Sequence, residues 1–344
     1  MNNPIAKLRA ASVTDLIGLA LVALVVLWLV VNFIKAPTEF INIGLIGLTN
    51  GTIYGVVALG YTLVYGILQL INFAHGDVFA LSGLVASTVI VSVLGLDEAS
   101  STIVIIGGLA LTLLVIMVGF SLFNASIERV AYRPLRNAPR LAPLITAVGM
   151  SFVVENISLA FYGVNYRRVP NFISNSDVIN IGNITYSWHK ASVLIIVIPL
   201  LVVLSWFVRS TKQGKAMRAV AQDTEASAMM GIDVNRTISV TFLLAGALAG
   251  AAGIVYLLQF NMRYDTGFEL GLIAFTAAVL GGIGNLTGAV VGALMIGFIQ
   301  AFNEGLGWHA PGSDWTRSMV FGILILVLVF RPEGILGEQT PEGA

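Results

Sequence analysis

Cysteine is absent from the 344-residue chain, which excludes disulfides, thiolate metal sites and a cysteine nucleophile. Charge is scarce as well: Asp, Glu, Lys and Arg together make up 10% of the residues, where soluble domains carry about a quarter. The 18 basic and 18 acidic residues cancel, so no long-range pull toward nucleic acid is indicated and none is expected as a partner. Only three histidines occur, His75, His189 and His309, too far apart for a metal-spaced cluster, and no H-E-x-x-H helix is present. Ser82 in "LSGLV" does not complete G-x-S-x-G. The phosphate-binding pattern G-x-x-x-x-G-K-[ST] is missing too, because "KQGKAM" from Lys212 lacks the glycine spacing and the hydroxyl after the lysine. No enzyme chemistry is legible; neither metal nor cofactor is expected in the chain, and it is not expected to hydrolyse ATP itself.

What is abundant is apolar: 57% of the residues are hydrophobic. They fall in runs near the ~20 residues that cross a bilayer as a helix, not in the ten-residue alternation of a barrel strand. The runs are 17–34, 40–59, 78–96, 103–123, 142–161, 191–208 and 237–258, followed by three short or glycine-broken ones near 271–280, 288–301 and 318–330. The expected fold is all-α, a polytopic transmembrane helical bundle of about 8–10 membrane segments forming a single domain over residues 1–344. The short segments are expected to be broken or re-entrant, since such backbone survives only where protein or water covers it. Lys7 and Arg9 precede the first run as in a signal peptide, but the run is long for one and no A-x-A-like site follows, so it reads as a retained spanning helix.

Cytoplasmic loops collect Lys and Arg. Alternating the segments from a cytoplasmic N-terminus puts Arg129, Arg133, Arg136, Arg140, Arg209, Lys212, Lys215, Arg218, Arg236 and Arg331 inside, with a cytoplasmic C-terminus. Lys35, Arg167, Arg168, Lys190, Arg263 and Arg317 fall outside, so 12 of the 18 basic residues are inside. The outer loop 163–190 alternates apolar residues with turn formers and is expected to form a small hairpin.

The stretch "GLTNGTIYGVVALGYTLVYGILQLINFAHGD", 47–77, is apolar yet carries Asn50, Gln69, Asn72, His75 and Asp77. Its glycines, including Gly51, suit close helix packing, and "GGIGNLTGAVVGALMIG" near the C-terminus echoes them. Ionisable groups in a membrane are costly and face a cavity or one another, so Asn72, His75 and Asp77 are candidates to line a pathway. Asp77 could equally cap a helix starting at Val78. Glu155, in "GMSFVVENISLAF", is the other deep ionisable residue and either lines a polar route or makes one buried hydrogen bond.

The inner loop 209–236, "RSTKQGKAMRAVAQDTEASAMMGIDVNR", begins with a basic helix. Asp223 is then a good N-cap, with Thr224 and Glu225 in the first turn and Ala226, Ser227, Met229 and Met230 continuing to Gly231, which can end the helix left-handed. Adjacent methionines suit docking into another surface.

Several stretches together resemble one family: "NGTIYGVVALGYTLVYG", "INFAHGD", "ERVAYRPLRNAP", "AVAQDTEASAMMGIDVNRTISVTF" and "FRPEGILG". They are similar to the integral-membrane permeases of ABC importers, most closely the LivH-type permeases for branched-chain amino acids. The wider permease pattern has an acidic residue and two alanines before a glycine; here Glu225, Ala226 and Ser227 precede Gly231, with serine as the second small residue and Leu244 where a later proline would stand. The resemblance implies a bacterial inner-membrane subunit that pairs with a second, homologous permease. Two cytosolic ATPase subunits, which bind the ATP, would dock on the coupling loops, and an external binding protein would deliver substrate. Thr224–Met230 would be the coupling helix, with Glu225 meeting the ATPase. A zwitterion crossing lipid needs a polar path, which Asn50, Gly51, Tyr54, Tyr61 and Asn72 could supply without fixed charge. An ion-coupled secondary transporter working through Glu155 or Asp77, a non-transporting membrane scaffold, and an ABC permease for urea or short amides are the alternatives.

Overall fold

The computed structural model describes residues 13–136, 138–139 and 141–337, so Lys7, Arg9 and Arg140, expected on the cytoplasmic side, lie outside the described residues. Among the described residues twelve α-helices and one hairpin follow in order: α1 Val13–Lys35, α2 Pro37–Leu68, α3 Ala74–Thr88, α4 Thr102–Ile127, α5 Leu141–Tyr162, β1 Asp177–Ile181, β2 Ile184–Ser187, α6 Trp188–Ser210, α7 Lys212–Gln222, α8 Thr224–Met229, α9 Val234–Gln259, α10 Thr266–Gly281, α11 Leu286–Gly305 and α12 Thr316–Phe330. Among the described residues eight helices are long and apolar enough to cross a membrane, and α10 and the described apolar part of α1 are shorter apolar helices. The protein is therefore the polytopic helical bundle that the apolar runs indicate.

Pro37 opens α2, where its missing N–H costs nothing, and Glu39 in the first turn suits the helix dipole. At 32 residues α2 runs to about 48 Å, longer than the ~30 Å of hydrocarbon. Every residue from Gly51 to Val64 is buried, which makes α2 the central post of the bundle. It packs antiparallel against α11 through the glycine-rich stretches that echo each other in sequence. A Cβ on Gly51 would lie 2.8 Å from the Leu294 Cα, and one on Gly47 would lie 3.0 Å from the Phe298 Cα, so only glycine lets the two backbones meet there. Helices α3 and α9 complete the core with α2, while α4, α5, α6 and α12 present most of their apolar side chains outward. Exposed Leu114, Phe152, Trp206 and Leu328 belong to that outer, lipid-compatible surface.

One end of the bundle carries the β-hairpin and the other carries α7 and α8. In the hairpin Gly182 takes φ +62° at the first position of a two-residue turn, the conformation such turns demand. Asn42 of α2 holds it, accepting from the Thr185 N–H at 3.0 Å and donating to the Asn183 carbonyl at 2.9 Å. At the other end the "FRPEGILG" tail folds under α10. Its Ile335 and Leu336 N–H groups donate to the Leu280 and Gly281 carbonyls, at 2.9 and 3.0 Å, which helix α10 leaves unpaired at its C-terminus.

The shorter helices have internal ends. Helix α3 starts at Ala74, four residues ahead of Val78, so Asp77 lies in its first turn and is not its N-cap. The cause is burial: every residue from Ala74 to Leu84 is enclosed, and enclosed backbone must hydrogen-bond to itself. Helix α10 starts beside this point, with Gly267 and Gly271 against the Gly76 backbone; a Cβ on Gly271 would lie 3.0 Å from the Gly76 Cα. Two helix starts thus meet within the bundle.

Candidate functional site: a charged cavity and a projecting helix

The start of α10 floors a cavity of about 610 Å³ that opens among the elements of the hairpin end. Helix α2 supplies Asn50 and Tyr54, α9 Tyr256, α10 Glu269 and Ile273, α11 Gln300 and Glu304, and α12 Thr316 and Arg317. The volume lies within the ~300–1,000 Å³ of small-molecule sites. Its wall is a chain of hydrogen bonds. The Tyr54 hydroxyl donates to Gln300 Oε1 at 2.6 Å, the Gln300 amide donates to Glu304 Oε1 at 3.1 Å, and the Thr316 hydroxyl donates to the same oxygen at 2.9 Å. Asn303 Nδ2 extends it to the Thr316 hydroxyl at 2.9 Å.

Both signs of charge line the space. Arg317 Nε donates to Glu269 Oε1 at 2.7 Å across α12 and α10, and Arg263 Nε donates to Asp265 Oδ1 at 2.6 Å on the approach to α10. The bonds to Asp265 raise the Arg263 guanidinium above its usual proton affinity. Arg263 also lies 5.0 Å from the ring centre of Tyr166, and the Arg167 and Met262 backbones pair at 2.8 and 2.9 Å, so the long outer loop is pinned beside the cavity. Tyr54, Tyr256, Phe260, Leu270 and Ile273 add apolar surface, so the cavity offers acids, guanidiniums and apolar faces together.

The residues singled out from the sequence divide between several places. Asn50 and Tyr54 line the cavity. Gly51 faces the α11 backbone. Tyr61 lies under the start of α3, its ring 4.9 Å from that of His75, which fills the space beside Gly60. Asp77 accepts a hydrogen bond from the Ser151 hydroxyl of α5, and Asn72 accepts one from the Tyr132 hydroxyl at 2.7 Å. Glu155 is half-buried on α5, with its neighbour Asn156 turned outward.

At the opposite end α8 projects. The Asp223 carboxylate accepts from the Ala226 N–H at 2.8 Å as N-cap, and Gly231, at φ +83°, turns the chain left-handed after the last turn. Ser227 faces inward while Met229 and Met230 are 82% and 83% exposed, so among the described residues nothing covers the apolar tip of this helix. Glu225 is exposed beside them.

The sequence pattern of the family described as "Branched-chain amino acid transport system / permease component" matches residues 43–329. That range contains both the cavity and α8. The chain belongs to this permease family. Among this permease's relatives, "High-affinity branched-chain amino acid transport system permease protein BraD" of Pseudomonas aeruginosa is 39% identical over 86% of this chain and 95% of its own. "High-affinity branched-chain amino acid transport system permease protein LivH" of Escherichia coli is 34% identical over the same shares of each chain. A "Probable branched-chain amino acid transport permease protein LivH" of Methanocaldococcus jannaschii is 25% identical over 82% of this permease and 88% of its own length.

Sequence reasoning missed much of the permease's cavity. Gln300 and Glu304 stand one helical turn apart in the mostly apolar "IGFIQAFNEG", a spacing that puts both on one face and could have marked them. Glu269 and Arg317 carried no local signal, because 48 residues separate the two halves of the pair.

Proposed function

We propose that this chain is the membrane-spanning subunit of an ATP-driven importer that passes branched-chain or other hydrophobic amino acids through the hairpin-end cavity. The observation that carries the reading is the cavity's composition, found in a chain whose relatives are named as branched-chain amino acid permeases. Carboxylates such as Glu304 suit an α-ammonium group, guanidiniums such as Arg317 suit an α-carboxylate, and Tyr54, Tyr256 and Ile273 suit an aliphatic side chain. In this reading the pathway passes Asn50 and Tyr54, as expected from the sequence, and then Gln300 and Glu304. Gly51 serves the close contact of α2 with α11, Tyr61, Asn72, His75 and Asp77 serve by holding the internal start of α3, and Glu155 stays off the route.

The hairpin end faces outward, where a binding protein would deliver substrate, and α8 faces the cytosol with both termini. Met229, Met230 and Glu225 dock on one of two ATPase subunits, which bind the ATP, and 209–236 acts as the coupling loop of a single permease domain. A second permease pairs with this one, as the resemblance to ABC importer permeases implies. The ion-coupled alternative draws no comparable support, since neither Asp77 nor Glu155 lines the cavity.

The test is leucine uptake into proteoliposomes containing this chain with its co-purifying subunits. Uptake that requires ATP and the binding protein, is competed by isoleucine and valine but not by urea, and falls in Glu304→Gln would support the reading. Uptake by the chain alone under an ion gradient would overturn it.

A further inference from the structure

Glu128 is a carboxylate with 1% exposure in an apolar bundle. Helix α4 changes there to π geometry over Glu128–Tyr132 and then to a 3₁₀ turn over Arg133–Leu135. The wide π turn followed by the tight 3₁₀ turn brings Arg136, eight residues on, back over Glu128, whose Oε1 accepts from its Nη2. The other oxygen, Oε2, accepts from the Ser239 hydroxyl of α9 at 2.7 Å, and Arg136 Nη1 donates to Asn235 Oδ1, also on α9, at 2.6 Å. One turn earlier Asn124 Nδ2 donates to the Phe242 carbonyl at 2.8 Å. The end of α4 is therefore fastened to the first turns of α9 in fixed register.

A buried ion pair is a poor source of stability, because apolar residues of the same volume usually serve as well. What it supplies is direction, and π turns recur at functional positions. The position here is specific. Only Met230 to Asp233 separates α8 from α9, and Asp233 caps α9 by accepting from the Arg236 N–H at 2.9 Å, so the link is short and ordered. On its other side the same π turn carries Tyr132, whose hydroxyl donates to Asn72 Oδ1 and whose ring centre lies 5.5 Å from that of Phe242. Asn72 sits in the turn between α2 and α3, and its carbonyl accepts from the His75 N–H at 3.1 Å at the internal start of α3.

We propose that Glu128, Arg136, Asn235 and Tyr132 form a transmission joint that carries a displacement of α8 through α9 and the end of α4 to the internal start of α3, beside α10 and the floor of the cavity. These are positioning residues: none of them lines the cavity. The proposal rests on the reading of α8 as the ATPase contact. In physical terms the fastened ends of α4 and α9 move as one body when α8 is pulled, and the Tyr132–Asn72 bond hands that motion to α3.

The experiment uses the complete importer in proteoliposomes, with Tyr132→Phe and the double variant Glu128→Gln/Arg136→Gln. ATP hydrolysis, leucine taken up per ATP, and photo-cross-linking to the ATPase from a benzophenone maleimide attached to a Met229→Cys background before assembly are measured together. The chain has no cysteine of its own, so the cross-link is specific. Tyr132→Phe keeps the cross-link and the hydrolysis rate but lowers uptake per ATP about threefold or more. The double variant lowers it similarly, and combining the two adds little, because both break one joint. If the cross-link forms and uptake per ATP is unchanged, or uptake and hydrolysis fall in proportion, the joint is wrong while the function stands. If Met229→Cys reaches no ATPase in the otherwise unaltered chain, the reading of α8 fails and the joint with it.

Discussion

At the scale of single residues, glycine does two different jobs in this chain, and substitution separates them. Gly51 lets α2 lie against the α11 backbone, with the Leu294 Cα and Ala293 carbonyl 2.8 and 2.9 Å from where a Cβ would be. A side chain there must push two backbones apart, so Gly51→Leu destabilises by about 1–3 kcal/mol or more, seen as a lower unfolding temperature in detergent. Gly119, on the outer face of α4, has nothing within 4 Å of its would-be Cβ. Gly119→Ala therefore stabilises by about 0.5–1 kcal/mol, because alanine gives up less backbone freedom in a helix. Equal effects at the two positions would mean that α2 and α11 do not pack as described. The cavity wall offers a second residue-scale prediction. Tyr54→Phe removes one hydroxyl and leaves Gln300 Oε1 to a water, so uptake falls by about fivefold, the weight of one ~1 kcal/mol hydrogen bond, with the chain's stability nearly unchanged.

At the scale of elements, α8 is six residues long and too short to hold itself, so its ends decide whether it exists. Asp223→Ala removes the cap on the Ala226 N–H and costs about 1 kcal/mol of local stability. Gly231→Ala forces a Cβ into a left-handed residue at φ +83° and costs a further ~1 kcal/mol. Hydrogen exchange over 224–231 is expected to speed up about fivefold in each variant and more in the pair, with the core of α2 unaffected. Unchanged exchange in both would show that the helix is held by contacts other than its caps. This element was legible in the sequence because its signals are local: a capping acid, a first-turn acid and a terminal glycine lie within nine residues. The hairpin was legible for the same reason. The internal starts of α3 and α10 were not, since they depend on Gly76 meeting Gly267 and Gly271 from opposite ends of the chain. Glu128 escaped too, because a carboxylate in a basic stretch reads as a solvated charge until Ser239 and Asn235 are brought beside it.

At the scale of the whole molecule, the bundle sorts its basic residues between two ends. Arg129, Arg133, Arg136, Arg209, Lys212, Lys215, Arg218, Arg236 and Arg331 lie at the α8 end, and Lys35, Arg167, Arg168, Lys190, Arg263 and Arg317 lie toward the hairpin end. Several at the hairpin end are already engaged: Arg263 with Asp265, Arg317 with Glu269, and Lys35 over the Trp308 ring at 4.4 Å. The excess of basic residues at the α8 end is what supports the proposal that this end faces the cytosol. Because the chain lacks cysteine, single introduced thiols report this directly. Ile181 on the hairpin is 72% exposed and Met230 after α8 is 83% exposed, so both Ile181→Cys and Met230→Cys present a reactive thiol without disturbing the core. In spheroplasts a membrane-impermeant maleimide should label Ile181→Cys and spare Met230→Cys, and inverted vesicles should give the reverse. The opposite pattern would put α8 outside, away from any cytosolic ATPase, and the cavity mouth inside. That result would remove the coupling role of α8 and the proposed direction of import together, whereas the expected one ties the cavity to the side where substrate arrives.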